Sequence, residues 1–271
     1  MSDLDFLRVE RGAAPLILSF PHTGTDLVGL DDRFASPWLA RRDADWHVHE
    51  LYAFARDLGA TFVRSTVSRS VIDLNRDPSG ASLYPGQATT GLCPTESFDG
   101  EELHRPGAEP GAGEIAERRE RWFAPYHDTL AGEIARLRAI HPRVVVYDCH
   151  SIRSTIPRLF DGALPQFNIG TNSGVACDPA LTAAIAEACA ASGLGHVVDG
   201  RFKGGWITRH YGRPADGVHA VQMELAIRGY LREPTKIDET NWPPAFDPDF
   251  AAPLAAVLRR ALEGALAFAR G

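Results

Sequence analysis

No stretch of this 271-residue sequence approaches the roughly 18 consecutive apolar residues that a membrane-spanning helix requires. The opening MSDLDFLRVERG has neither the basic cluster nor the apolar run of a secretory leader. A soluble, cytoplasmic protein is therefore the expectation. Cysteine is scarce: Cys93, Cys149, Cys177 and Cys189 form no C-x-x-C pair and are too few for a disulfide framework, so reduced thiols are expected. No G-x-x-x-x-G-K-[ST] or G-x-G-x-x-G follows a strand pattern, which removes the phosphate-cradling loops of nucleotide enzymes. Basic residues do not dominate either. The 28 Lys+Arg against 35 Asp+Glu leave a formal charge of −7 and a pI near 5.8, which argues against nucleic acid or an anionic membrane as partner. An anionic ligand must then be met by a local cluster of arginines. There is no internal repeat and no linker, and the 44% apolar content is that of an ordinary globular chain. Nothing in the residues fixes an oligomeric state.

What is present is an alternation of short apolar runs with longer amphipathic stretches, the signature of a largely parallel sheet covered by helices. Strands are predicted over 15–20 (PLILSF), 60–67, 143–148 (RVVVYD), 166–170, 196–199 and 218–225 (VHAVQMEL). Helices are predicted over 45–58, 113–140, 179–191 and 253–269. In the first of these, Val48, Leu51, Tyr52, Ala55 and Leu58 fall on one face. The expected architecture is a single α/β domain over 1–271 with a mixed, largely parallel sheet. Residues 74–113 differ: 12 of these 40 residues are Gly or Pro, so the segment reads as an active-site loop or lid, or else as a surface insertion.

Two histidines stand at predicted strand ends, His22 in SFPHTG and His150 in YDCHS. Ligands of open α/β sheets collect outside the carboxyl ends of strands, so these two can converge on a metal. A catalytic zinc site needs a third protein ligand, commonly a carboxylate. Asp45 is the candidate, although an Asp opening a helix is also explained as its N-cap. His47 and His49, two apart on a helix, cannot chelate as a pair. In VHAVQMEL, alternation puts Glu224 with Ala220 and Gln222 on one face. Its carboxylate is either a paired structural acid or a working base with a raised pKa. SRSVIDLNRDP gathers Arg69, Asp73, Asn75 and Arg76 into either a carboxylate-binding cluster or a solvated turn. Arg209 and His210 lie among aromatics in the Gly-rich run 201–217. Cys149, pointing away from its neighbour His150, is not expected to be a nucleophile.

SFPHTG, DADWHVHELY, SRSVIDLNRDPSGASLYPG, DCHSIRS, NIGT, FKGGWITRHYG and HAVQMELA, in this order, resemble the N-formylglutamate amidohydrolases, the deformylases of histidine degradation. The resemblance spans roughly residues 16–231. It implies a fold similar to that of zinc carboxypeptidases and aspartoacylases, a phosphorylase/hydrolase-like arrangement, with one metal, usually zinc. It further implies His22 and His150 as ligands, Glu224 as general base, and Asn75 with Arg76 on a substrate carboxylate. The related H-x-x-E pattern would place Glu at position 25, where this chain has Thr25. Asp45 then stands as the replacement ligand, with Asp26 as fallback. The implied reaction converts N-formyl-L-glutamate to formate and L-glutamate, with Arg209 or His210 beside the oxyanion. The small dianionic substrate calls for arginines drawn from Arg69, Arg76, Arg153 and Arg209. Other readings are a deacylase of N-formylaspartate or N-acetylaspartate, or a non-catalytic amino-acid-binding protein.

Overall fold

A computed structural model of the chain describes residues 5–83, 86 and 89–271. Its strands are β1 (Leu7–Glu10), β2 (Leu16–Phe20), β3 (Thr61–Ser65), β4 (Val144–Ile152), β5 (Phe167–Gly170), β6 (His196–Val198) and β7 (Val218–Ala226). They form one sheet in the order β1-β3-β2-β4-β7-β5-β6. The central strands β3, β2, β4 and β7 run parallel. β1 joins β3 antiparallel at one edge, and β5 joins β7 antiparallel while carrying β6 parallel to itself. This is the mixed, largely parallel α/β sheet that the periodicity predicts.

β2, β4 and β7 are buried at every residue, as parallel strands covered on both faces must be. One face of these strands, including Leu18, Phe20, Tyr147, Cys149, Met223 and Leu225, packs with α5 (Pro179–Ala190) and α7 (Pro248–Arg270). The opposite face, with Ile17, Val144, Val146 and Ala220, packs against α4 (Ala124–Arg138) and its neighbours. Strict alternation continues this second face into Ser19, Asp148, His150, Gln222 and Glu224 toward the carboxyl ends. The register sets Ser19 beside Asp148, Asp148 beside Gln222, and His150 beside Glu224. β2 leads to β3 on one side, whereas the chain after β4 builds the other side. The crevice between β2 and β4 is thus the topological switch point, where such sheets bind ligands.

Several elements depart from the periodicity. The strand predicted to end at 148 runs on to Ile152, because its pairing with β7 continues through Ala226. The helix predicted over 45–58 is broken. α2 covers only Val48–Leu51 and a single 3-10 turn covers Ala53–Arg56, preceded by His47 in the left-handed region at φ 59°. The apolar face is still satisfied, since Val48, Leu51, Tyr52 and Ala55 are buried. The stretch predicted over 113–140 comprises α3 (Ala112–Arg118), a π-turn (Arg119–Phe123) and α4. β1, α1 (Pro37–Arg42) and α6 (Trp206–Tyr211) carry no clear periodicity. α7 begins earlier than predicted, where the Asp247 side chain accepts from the amides of Asp249 and Phe250. Within the 74–113 segment, Leu74, Leu92, Phe98 and Leu103 are buried, so much of it packs against the body. Residues 84, 85, 87 and 88 lie outside the described residues. No helix among the described residues is long and apolar enough to cross a membrane.

Candidate active site

His22 follows β2 with its Nε2 2.7 Å from Asp73 Oδ1. Asp73 is itself held by Arg69 Nη2 at 2.8 Å and by the backbone N–H of Asn75 at 2.9 Å. His150, on β4, repeats the arrangement with Asp148: Nε2 to Oδ2 is 2.9 Å. Its Nδ1 faces Asp45 Oδ2, also at 2.9 Å. Asp45 lies in the turn before α2, not at its cap, and is fixed there by its own N–H donating to the His22 carbonyl at 3.0 Å. His22, Asp45 and His150 are all buried and each offers a donor atom within 4.8 Å of the others. Among the described residues, His22 Nδ1 and Asp45 Oδ1 have no hydrogen-bond partner, an unusual state for buried polar atoms. Two imidazoles, each backed by a carboxylate at the far nitrogen, plus one inward carboxylate, form a donor set that fits a divalent ion of the zinc type.

The electrostatics agree with that use. Burial, helped by Arg69, lowers the His22 pKa and keeps its ring neutral. For His150 burial also opposes charge, but Asp148 and Asp45 outweigh it and raise the pKa well above the ordinary value. A cation at Nδ1 therefore competes with a proton. Burial raises the carboxyl pKa of Asp73, yet Arg76, His22 and Arg69 prevail and hold it well below the usual range. Glu224, beside His150 in register, is different. Burial pushes its carboxyl up to about 8 against the pull of the His150 charge. Gln222 Nε2 donates to Glu224 Oε2 at 3.2 Å, and the Gly205 N–H fixes Gln222 by donating to its Oε1 at 2.8 Å.

Above these groups opens a cleft of about 680 Å³, whose walls include His22, Asn75, His150 and Glu224 together with Arg69, Arg76, Arg158, Arg201, Phe98 and Phe202. Arg69 lies over the Phe98 ring at 4.8 Å. Arg76 donates from Nε to the Thr90 carbonyl at 3.0 Å and from Nη2 to Thr90 Oγ1 at 3.1 Å, so it tethers the loop as well as lining the cleft. Four candidates from the sequence are placed elsewhere. Arg153 is bound to Asp99 at 2.7 Å and Asp43 at 3.2 Å, outside the cleft walls. Arg209 and His210 ride on α6, the first donating to the Gly204 carbonyl and the second stacked on Trp206 at 4.9 Å. Neither lines the cleft. Asp26 is exposed, accepts from the Val28 amide and stands outside the donor group. Cys149 points into the opposite core, where burial pushes its thiol pKa well up.

Sequence reasoning missed Asp148 as the partner of His150, although a spacing of two on one strand puts them on one face. It also missed Arg158 and Arg201. Arg201 opens the Gly-rich run, a weak signal, and Arg158 had none.

A buried acid that holds its proton near neutrality, beside a donor set suited to a divalent ion, is equipment for moving a proton to and from water. On a parallel-centred sheet and under a cleft rich in arginine, it is the equipment of a hydrolase. The chain belongs to the N-formylglutamate amidohydrolase family, whose model matches residues 14–231. It is 46% identical over 268 residues to the N-formylglutamate deformylase of Pseudomonas aeruginosa, covering 98% of each chain. It is likewise 46% identical over 264 residues to that of Pseudomonas putida, covering 97% of this chain and 96% of the other. Among solved structures, N-formylglutamate amidohydrolase from Ralstonia eutropha JMP134 matches with a TM-score of 0.79 at 22% identity, over 97% of this chain and 98% of that one. A gene product from Agrobacterium tumefaciens matches with a TM-score of 0.73 at 19% identity, over 98% and 97%. These two likenesses speak for the fold.

Proposed function

We propose that this chain hydrolyses N-formyl-L-glutamate to formate and L-glutamate, a step of histidine degradation in the cytoplasm, with a zinc ion held by His22, Asp45 and His150. Bound there, the ion would supply polarisation of the formyl carbonyl and acidification of a water. In its ionised form, Glu224 accepts a proton from that water as its oxygen adds to the formyl carbon. It then returns the proton to the amide nitrogen as the C–N bond breaks and formate leaves. Arg69, pinned by Asp73 and Phe98, is the fixed positive charge nearest the ligand group and takes the oxyanion role expected of Arg209 or His210. Arg76, Arg158 and Arg201 receive the two carboxylates of the substrate.

The observation that carries this reading is the position of Glu224, level with His150 on the neighbouring strand and facing a cleft with four arginines. The test compares kcat/KM of the zinc-loaded protein on N-formyl-L-glutamate, N-formyl-L-aspartate and N-acetyl-L-aspartate. N-formyl-L-glutamate should lead by about tenfold or more, the usual worth of a matched methylene or acyl group. Preference for another acyl amino acid would reassign the substrate, and the absence of any hydrolysis would make the chain a binder.

A further inference from the structure

Asn75, expected from the family resemblance to hold a substrate carboxylate, has its amide committed elsewhere. Nδ2 donates to Asp148 Oδ2 at 2.8 Å, while Oδ1 accepts the Ile207 N–H at 2.7 Å. That second bond fixes which end of the amide is nitrogen. The Asn75 backbone is engaged as well, its N–H on Asp73 Oδ1 at 2.9 Å and its carbonyl under the Trp206 N–H at 3.1 Å. The side chain is 2% exposed. Gly205 leans on it so closely that a Cβ there would come within 2.5 Å of the amide. Turning the amide toward the cleft would break the Asp148 and Ile207 bonds together.

Asp148, fully buried, is met by three side chains. Asn75 Nδ2 donates to Oδ2 at 2.8 Å, His150 Nε2 lies 2.9 Å from both Oδ2 and Asn75 Nδ2, and Ser19 Oγ donates to Oδ1 at 3.0 Å. The Tyr126 hydroxyl lies 2.9 Å from Ser19 Oγ and completes the string as its donor. Together these contacts hold the buried carboxylate in one orientation. With the Nε2 edge of His150 turned to Asp148 and Asn75, the ring presents Nδ1 to Asp45 at 2.9 Å, the edge that an ion-binding imidazole would offer.

We propose that Asn75 is a positioning residue of the metal centre: it orients Asp148 and His150, which meet at its amide nitrogen, and it does not bind a substrate carboxylate. The inference rests on the reading that His150 binds the ion through Nδ1. The same amide seats the first turn of α6, next to the Gly205 N–H that orients Gln222 and so Glu224. One side chain thereby ties the metal ligand to the wall that carries the base.

The test is Asn75→Asp, which keeps an acceptor for Ile207 and replaces the donor facing Asp148 with an acceptor. Asn75→Ala, which removes the donor without adding charge, serves as the second variant if the first does not fold. Zinc affinity is measured by chelator competition. Then kcat and KM are measured at saturating zinc on N-formyl-L-glutamate and on its α- and γ-monoamides. The expected result is a loss of zinc affinity of about ten- to a hundredfold, the usual cost of losing a partner behind a metal ligand, with KM on all three substrates within about threefold of wild type. Ser19→Ala, which touches Asp148 from the far side, should weaken zinc in the same direction. Unchanged zinc affinity, with KM raised on the diacid but not on one monoamide, would overturn the inference and restore the carboxylate role. If His150→Ala kept wild-type zinc affinity, the metal reading itself would fall, whatever Asn75 does.

Discussion

Asp148 Oδ2 lies 2.9 Å from His150 Nε2, and the two residues stand two apart on the same face of β4. The strand pleat alone brings them together, and the contact leaves His150 Nδ1 facing Asp45, where the proposed ion would bind. Asp148→Asn should therefore lower zinc affinity by about ten- to a hundredfold, measured by chelator competition. Unchanged affinity would mean that the contact does not orient the ligand.

Glu224→Gln should retain zinc and fold while kcat falls by roughly 10²–10⁴, the usual worth of a positioned acid/base. The amide has nearly the same shape but takes no proton from water. Elemental analysis alongside steady-state kinetics separates this outcome from loss of the ion. A kcat within a few fold of wild type would reassign Glu224 as structural.

The same residue predicts a pH signature in stability. In the folded chain its carboxyl titrates at about 8, against an ordinary value of 4.5, so folding favours the protonated form. That contribution is complete below about 4.5, is lost as pH rises through 8, and is flat beyond. Glu224→Gln does not titrate. With chelator present, the Tm of the variant should gain on wild type steadily between pH 5 and 8. A Tm difference that does not change with pH would show that burial does not strain this carboxylate.

The arginines divide into two groups. Arg201→Ala removes a cation from the cleft wall and should cost about ten- to a hundredfold in kcat/KM on N-formyl-L-glutamate, the worth of a charge-assisted contact. Arg153→Ala leaves Asp43 and Asp99 short of a partner and should lower Tm without a comparable rise in KM. The reverse pattern in the two variants would place the substrate on the other side of Phe98.

Much of this was legible in the sequence where burial dictated the residues. β2, β4 and β7 read as strands because both of their faces need apolar side chains, and His22 and His150 stood out as the polar residues closing two such runs. β4 reads short because His150 and Ser151, after the predicted end at Asp148, look like a loop. They are polar because that end of the strand faces the site, where local rules are expected to fail. β1 was hidden because LRVE is an exposed edge with mostly solvent-facing positions. α6 was hidden because six residues between glycines are too few to show a period. The broken 45–58 segment shows the limit of periodicity: its apolar face is real, but the turn carrying Asp45 follows the backbone bond to His22. Tertiary contacts across the switch point, such as Asn75 with Asp148, have no local signature.

The central claim, hydrolysis of N-formyl-L-glutamate at a site completed by one ion, is tested most directly by titrating chelator-stripped protein with zinc while measuring formate release from that substrate. The account predicts negligible release from the stripped chain and a linear rise that saturates near one equivalent per chain. Full activity in the stripped chain, or no formate at any zinc level, would contradict it.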